Sequence, residues 1–191
     1  MANFQMPRRL QWLVVIAVLI GAAWGGYQFL VRNHRLSFVP EAMGVSHILH
    51  AAEESWGFGP GGNETGIIVY EMPEDVAAQL ETAGLKYLEN LPQQSHGHWR
   101  GRYQKWLPTP LVHDDRWPRD QVARNQIDGD WTSPGIGDYM FRYGFVIPLD
   151  RDVERIVNDA IFRPGSYYAH GRIGMIILIP AARRIVYAYR G

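Results

Sequence analysis

Leu10 to Val31 reads LQWLVVIAVLIGAAWGGYQFLV, 22 residues without a formal charge. As a helix rising about 1.5 Å per residue it extends roughly 33 Å, enough to cross the hydrocarbon core of a bilayer. Arg8 and Arg9 bound it on one side, Arg32 and Arg35 on the other. A helix buried in a soluble core shows a polar face, and here only Gln11 and Gln28 are polar apart from the aromatic residues. The stretch therefore predicts a transmembrane anchor at 10–31, preceded by a short basic tail at 1–9 and followed by a tethered domain at 36–191. Gly21-Ala22-Ala23 also resembles a signal-peptidase site, which makes a cleaved leader the competing reading. Arginines flank both ends, so the charge bias is nearly balanced. The short basic tail favours a signal-anchor orientation, with the N-terminus cytoplasmic and the C-terminal domain outside, as in a single-pass protein of a bacterial inner membrane. Within the span Gly21 and Gly25 form a GxxxG, spacing that lets two helix backbones approach and predicts a homodimer contact.

Outward from the span, charge is unevenly divided. Leu36 to Leu91 holds nine acidic residues against Lys86 alone, whereas Pro92 to Gly191 holds ten acidic and 14 basic residues. An acidic half followed by a basic half points to internal complementarity. A nucleic-acid binder would carry a strong overall positive field, and the formal net charge of this chain is zero. The chain has no cysteine, which excludes thiol catalysis, iron–sulfur clusters and disulfides.

Element patterns predict an α+β domain. Leu36–Val39 reads as a connector. Pro40–Ser55 reads as a helix, with Ile48, Leu49, Ala52 and Trp56 on one face and His47, His50 and Glu54 on the other. The glycine-rich run from Gly57 to Gly66 formally contains GxGxxG at Gly57, Gly59 and Gly62. It leads into the apolar run Ile67–Tyr70 and not a helix, so phosphates would have no helix N-terminus to sit on. Gly66–Met72 reads as a strand. A helix opens at Pro73 with an apolar stripe from Val76 to Leu91, interrupted in propensity by Gly84, which implies close packing there. Gly144–Pro148 reads as a strand beginning near Tyr139. Asp150 caps a helix running to Phe162, and Met175–Ile179 with Ile185–Tyr189 reads as a C-terminal hairpin. The sum is about four strands with helices packed on one face of the sheet.

Residues 92–138 resist this reading. The region has no sustained period, yet it contains four of the seven tryptophans and five prolines. Disordered segments lack such aromatic content, and long ordered excursions are often functional. Two constellations lie inside it. Trp99, Arg100, Arg102, Tyr103, Lys105 and Trp106 interleave cations with aromatics, a composition suited to anionic partners. His96 and His98, with His113 and the adjacent Asp114 and Asp115, offer nitrogen and oxygen donors of the kind zinc takes, although an H-x-H pair alone carries little specificity. Asp128 and Asp130 flank a glycine and read as turn chemistry. Ser166 and His170 sit between a helix and a strand, where a hydrogen-bonded loop histidine explains them more simply than a catalytic pair.

No GxSxG, SxxK, HExxH, P-loop or EF-hand pattern is present. The sequence thus predicts a membrane-anchored, extracytoplasmic interaction or binding module of the cell envelope, non-enzymatic, with no cofactor and with a protein or anionic envelope partner. The alternative is a membrane-tethered hydrolase or metal-dependent enzyme using His96, His98, His113 and nearby carboxylates, with zinc as its metal.

Overall fold

The computed structural model describes residues 7–56, 63–92, 99–114, 117, 134–141 and 147–190. The chain divides into two compact units, Met1–Leu36 and Ser37–Gly191. The first is a single helix, α1 (Arg8–Leu36), apolar around its whole circumference. Its residues Gln11–Leu36 are long and apolar enough to cross a membrane, and none of the most apolar stretch is buried. Leu13, Leu19 and Ile20 are each more than 60% exposed. Apolar surface left in water costs about 25 cal/mol per Å², so this helix needs an apolar surrounding.

The second unit is built on one antiparallel six-stranded sheet. Its strands are β1 (Ile48–Trp56), β2 (Asn63–Glu71), β3 (Trp106–Pro108), β4 (Tyr167–His170), β5 (Gly174–Ile179) and β6 (Arg184–Arg190). Their order across the sheet is β1-β2-β6-β5-β4-β3. The middle follows directly from composition. Ile67–Tyr70, Met175–Ile179 and Ile185–Tyr189 are buried on both faces, as strands covered on two sides must be.

Both faces are covered, not one. Side chains alternate along each strand, so Ile67, Val69, Met175, Ile177, Val186 and Ala188 share one face. That face packs on α4 (Ile136–Met140) and α5 (Arg151–Phe162) through Ile136, Tyr139, Val157 and Ile161. Asp150 caps α5 as its sequence requires, accepting from the backbone N–H of Asp152 and Val153. Ile68, Tyr70, Ile176, Leu178, Ile185 and Tyr187 face the other way, toward α2 (Glu74–Ala83), α3 (Leu85–Glu89) and the segment from Phe38 to Met43. The Tyr167 hydroxyl of β4 donates to the Leu80 carbonyl at 3.4 Å, tying the end of α2 to the sheet.

Several expectations are corrected. Among the described residues there are six strands where about four were expected. Residues 40–55 are not a helix: Glu41–Met43 is a short 3-10 turn, and β1 follows. Ala51, Ala52, Glu53 and Glu54 favour helix locally, but pairing with β2 over the whole strand overrides that preference. Phe38 and Val39, read as connector, are buried at 6% and 2% exposure. The helix from Pro73 breaks at Gly84, whose φ of 55° no other residue type adopts comfortably. The close packing expected there is real, since a Cβ would lie 2.8 Å from the Tyr167 hydroxyl. Tyr139 belongs to α4, Ile147 and Pro148 are in no strand, and the rest of the strand expected at Gly144–Pro148 lies outside the described residues. The turn between β5 and β6 is a 3-10 turn, Pro180–Ala182, closed by Arg183 in the left-handed region.

Candidate binding surface

Segment 99–106 crosses the face that carries α2 and α3 and then enters the sheet as β3. Its turn is closed by the Arg102 N–H donating to the Trp99 carbonyl at 3.3 Å, with Gly101 at φ 69° between them. Such a φ is why glycine stands at that position. From this turn the six predicted residues separate into three groups.

Tyr103 and Trp106 point into the fold. The Tyr103 hydroxyl donates to the Phe38 carbonyl at 2.7 Å. Its ring packs on Trp106 at 5.4 Å between centroids. Trp106 is only 8% exposed, and as the first residue of β3 it pairs with Ala169 of β4. Phe38 in turn lies flat on Tyr187, 4.5 Å away and 13° from parallel, and 6.1 Å from Tyr189. Burial raises the Tyr103 hydroxyl well above the ordinary tyrosine range, and neighbouring Tyr187, Tyr70 and Tyr139 add to the rise. Burial likewise raises Tyr187 and Tyr189; for Tyr189 the nearby Glu53 carboxylate, which accepts its hydroxyl at 2.9 Å, adds to the effect.

Trp99 and Arg100 sit between interior and surface. The Trp99 ring is 6.2 Å from Phe38, and the Arg172 guanidinium stands over it at 5.7 Å. That is cation–π geometry, worth about 0.5–1 kcal/mol at a partly exposed site. The Nε of Arg100 is buried, and its charge acts on Tyr187, partly opposing the rise in that hydroxyl's pKa.

Arg102 and Lys105 are exposed. Arg102 lines a small cleft together with Tyr103, Gln104, Trp106, Pro40 and Glu89, its floor completed by Leu88 and Leu91. The cleft holds about 60 Å³. That is room for a few waters or the tip of one side chain, such as a carboxylate, and far below the roughly 300 Å³ or more of a site for a drug-sized ligand. Pro40, Leu88 and Glu89 lie far from residues 99–106 in sequence, and only their apolar or turn-forming character marked them as part of the fold. Arg172 lies between β4 and β5, far from Trp99 in sequence, and no local pattern would have paired the two.

Of the histidine set only His113 lies among the described residues. His113 places its Nε2 2.9 Å from the Pro134 carbonyl, so that nitrogen carries the proton and donates. Its ring lies edge-on to Trp117 at 4.4 Å. A nitrogen used in this way does not ligate a metal. His96, His98, Asp115, Asp128 and Asp130 lie outside the described residues, as do Gly57 to Gly62. Among the described residues no group of three or more histidines, aspartates or glutamates is close enough to hold a metal ion. His50 and Glu54 lie on a strand, four residues and roughly 13 Å apart, and do not share a helix face. The glycine-rich run follows β1 and enters β2, joining two antiparallel strands where a dinucleotide site needs a strand leading to a helix. His170 is the last residue of β4, not a loop residue, and Ser166 is engaged through its backbone, its N–H donating to the Thr109 hydroxyl at 3.1 Å. In the span, Gly21 and Gly25 have nothing within 4 Å of where a Cβ would stand, so that stripe of the helix is open.

No known family, curated protein or solved structure matches the chain.

Proposed function

We propose that this chain is a membrane-anchored interaction module of the cell envelope, non-enzymatic, with its N-terminus cytoplasmic and residues 37–191 outside. The observation that carries the reading is α1, long and apolar enough to cross a membrane over Gln11–Leu36, whose apolar side chains are exposed on every side from Trp12 to Leu30. A bilayer is the surrounding that accepts such a helix whole, because every backbone group is already bonded within it. Gly21 and Gly25, on one face of that helix, would bring two copies together in the membrane. The binding surface is the rim formed by Arg102 and Lys105 beside the small cleft. An arginine fork and a lysine ammonium there suit a carboxylate- or phosphate-bearing protein or envelope partner. Trp99, Tyr103 and Trp106 hold that rim in place from below, and Arg100 is anchored among them.

Two measurements test the anchor. Reporter fusions at Gly191 should be active only outside the cytoplasm, and the mature protein should retain residues 1–36. A cytoplasmic reporter overturns the orientation, and a mature N-terminus after Ala23 makes α1 a leader and removes the anchor. For the binding surface, the assay is partner recovery by crosslinking in the native membrane, comparing the parent with Arg102→Ala, Lys105→Ala. Equal recovery places the site elsewhere.

A further inference from the structure

We propose that the outer edge of β1 is a second docking site, at which an extended, lysine- or arginine-bearing segment of a partner protein adds to the sheet as a further strand. This site lies at the opposite edge of the sheet from β3, and its test is independent of Arg102 and Lys105.

β1 runs for nine residues and, among the described residues, pairs with β2 along one side only. At about 3.4 Å per residue its other side presents ~30 Å of strand backbone, with alternate N–H and C=O groups pointing away from β2. Proteins commonly blunt such an edge with proline, lysine or a bulge. From Ser37 to Leu85 there is no lysine or arginine, and β1 contains no proline. Its one irregularity lies between Ile48 and His50, at the start of the strand. From Ala51 to Trp56 the pairing with β2 is regular. The edge is therefore geometrically ready over its second half.

Charge then selects the occupant. Glu54 and Ser55 are exposed, Glu64 stands on β2 directly across from Ser55, and the Glu53 carboxylate, held by the Tyr189 hydroxyl, adds its charge beside them. Backbone hydrogen bonds give strand addition its affinity whatever the sequence, and side chains at alternate positions give it specificity. Carboxylates at this edge favour cationic side chains on the incoming strand and raise its association rate. A second copy of this chain fits less well. Antiparallel pairing of two β1 strands centred between Glu53 and Glu54 would set each Glu53 directly opposite the other copy's Glu54, where like charges repel.

The probe is a short peptide of alternating lysine and valine, titrated against the full chain in nanodiscs of zwitterionic lipid, so that the peptide has no anionic bilayer to bind. Two control peptides accompany it, one with proline in place of two valines at unchanged charge and one with glutamate in place of lysine. The expected result is saturable binding of the lysine peptide alone, with slowed amide exchange confined to Ala51–Trp56. On the protein side, Glu54→Lys with Ser55→Lys should weaken binding at least about fivefold, since attraction at two exposed positions becomes repulsion. Equal binding of the proline peptide would mean that charge alone is recognised, and overturns the proposal without depending on any variant's fold. Unchanged binding by the Glu54→Lys, Ser55→Lys protein overturns it as well. Disulfide crosslinking of two copies through the double variant Ala52→Cys, Ser55→Cys in the native membrane would show that a second copy covers the edge, and also overturns it.

Discussion

At one edge of the sheet β3 offers three residues, and at the other β1 offers nine. β3 ends in Pro108, and Pro110 follows, so two of the backbone donors a neighbouring strand would need are missing. Between the prolines Thr109 is buried and fastened twice. Its hydroxyl donates to the Arg163 carbonyl at 2.6 Å, and it accepts from the Ser166 N–H at 3.1 Å. The second half of β1 carries glutamates instead, Glu53 held by the Tyr189 hydroxyl at 2.9 Å and Glu54 exposed. One edge is closed by prolines and local bonds, while the other has no strand paired beyond it among the described residues. The proposed strand addition rests on that difference.

The sharpest way to break this comparison is at neither edge but in the middle, on which both depend. Gly174 opens β5 opposite Tyr189, and a Cβ there would stand 2.5 Å from the Ala188 carbonyl oxygen and 2.8 Å from the Tyr189 Cβ. Both obstacles are fixed to β6, so the strands must part. Gly174→Val should cost about 3 kcal/mol or more of stability, as overpacking against backbone does. Denaturant unfolding of the purified chain measures it. A loss below about 1 kcal/mol would mean that the sheet's centre yields as readily as its edges.

Alkaline titration probes the aromatic layer that joins Phe38 to the sheet. Tyr103, Tyr187 and Tyr189 all hold their protons more tightly in the fold than the ordinary value of 10.0. A hydroxyl whose folded pKa is raised leaves stability whole below the unfolded pKa. As pH climbs past that value the unfolded chain releases the proton while the fold retains it, and stability falls. Unfolding should therefore set in above about pH 10, with tyrosinate absorbance rising in step with loss of structure. Tyr103→Phe should flatten the decline. Tyrosinate appearing well before unfolding would show the layer to be open to water.

The edges themselves come next. Thr109→Val keeps the shape but leaves the Ser166 N–H without its side-chain acceptor, and should cost about 1–2 kcal/mol. Glu54→Ala at the opposite edge should change stability by less than about 0.5 kcal/mol, because it removes one exposed charge. If the two substitutions cost the same, the edges are equally fastened and the contrast between them fails.

Legibility follows the same geography. Ile67–Tyr70, Met175–Ile179 and Ile185–Tyr189 were readable because strands buried on both faces are apolar without interruption. Asp150 and the Arg163-Pro164-Gly165 stop framed α5 by local chemistry alone. Toward the edges the signal fades. β1 carries alanines and glutamates whose spacing imitates a helix, and only its partner β2 makes it a strand. Tyr167–His170 and Trp106–Pro108 are too short for a period of two to stand out. The candidate surface was legible as composition but not as arrangement. That Tyr103 reaches the Phe38 carbonyl is a contact across 65 residues, for which local pattern has no expression.

The smallest expected effect on stability is also the one that separates the binding rim from its support. Composition alone treats Arg100, Arg102 and Lys105 as one set of cations. The structure divides them, since Arg100 has a buried Nε and acts on Tyr187, whereas Arg102 and Lys105 are exposed. Arg102→Ala with Lys105→Ala should therefore alter stability by less than about 1 kcal/mol, the range of exposed charges, while weakening capture of an anionic partner and reducing its dependence on salt. Arg100→Ala should cost about 1–3 kcal/mol, because the loss of a buried stem and charge is not made good by water. Paired melting curves and partner recovery, run on both variants at low and high salt, give the comparison. If Arg102→Ala, Lys105→Ala unfolds as readily as Arg100→Ala, all three cations serve the fold and the rim is no binding surface. If Arg100→Ala is as stable as the parent and loses the partner, the recognition surface extends inward along the turn to Trp99.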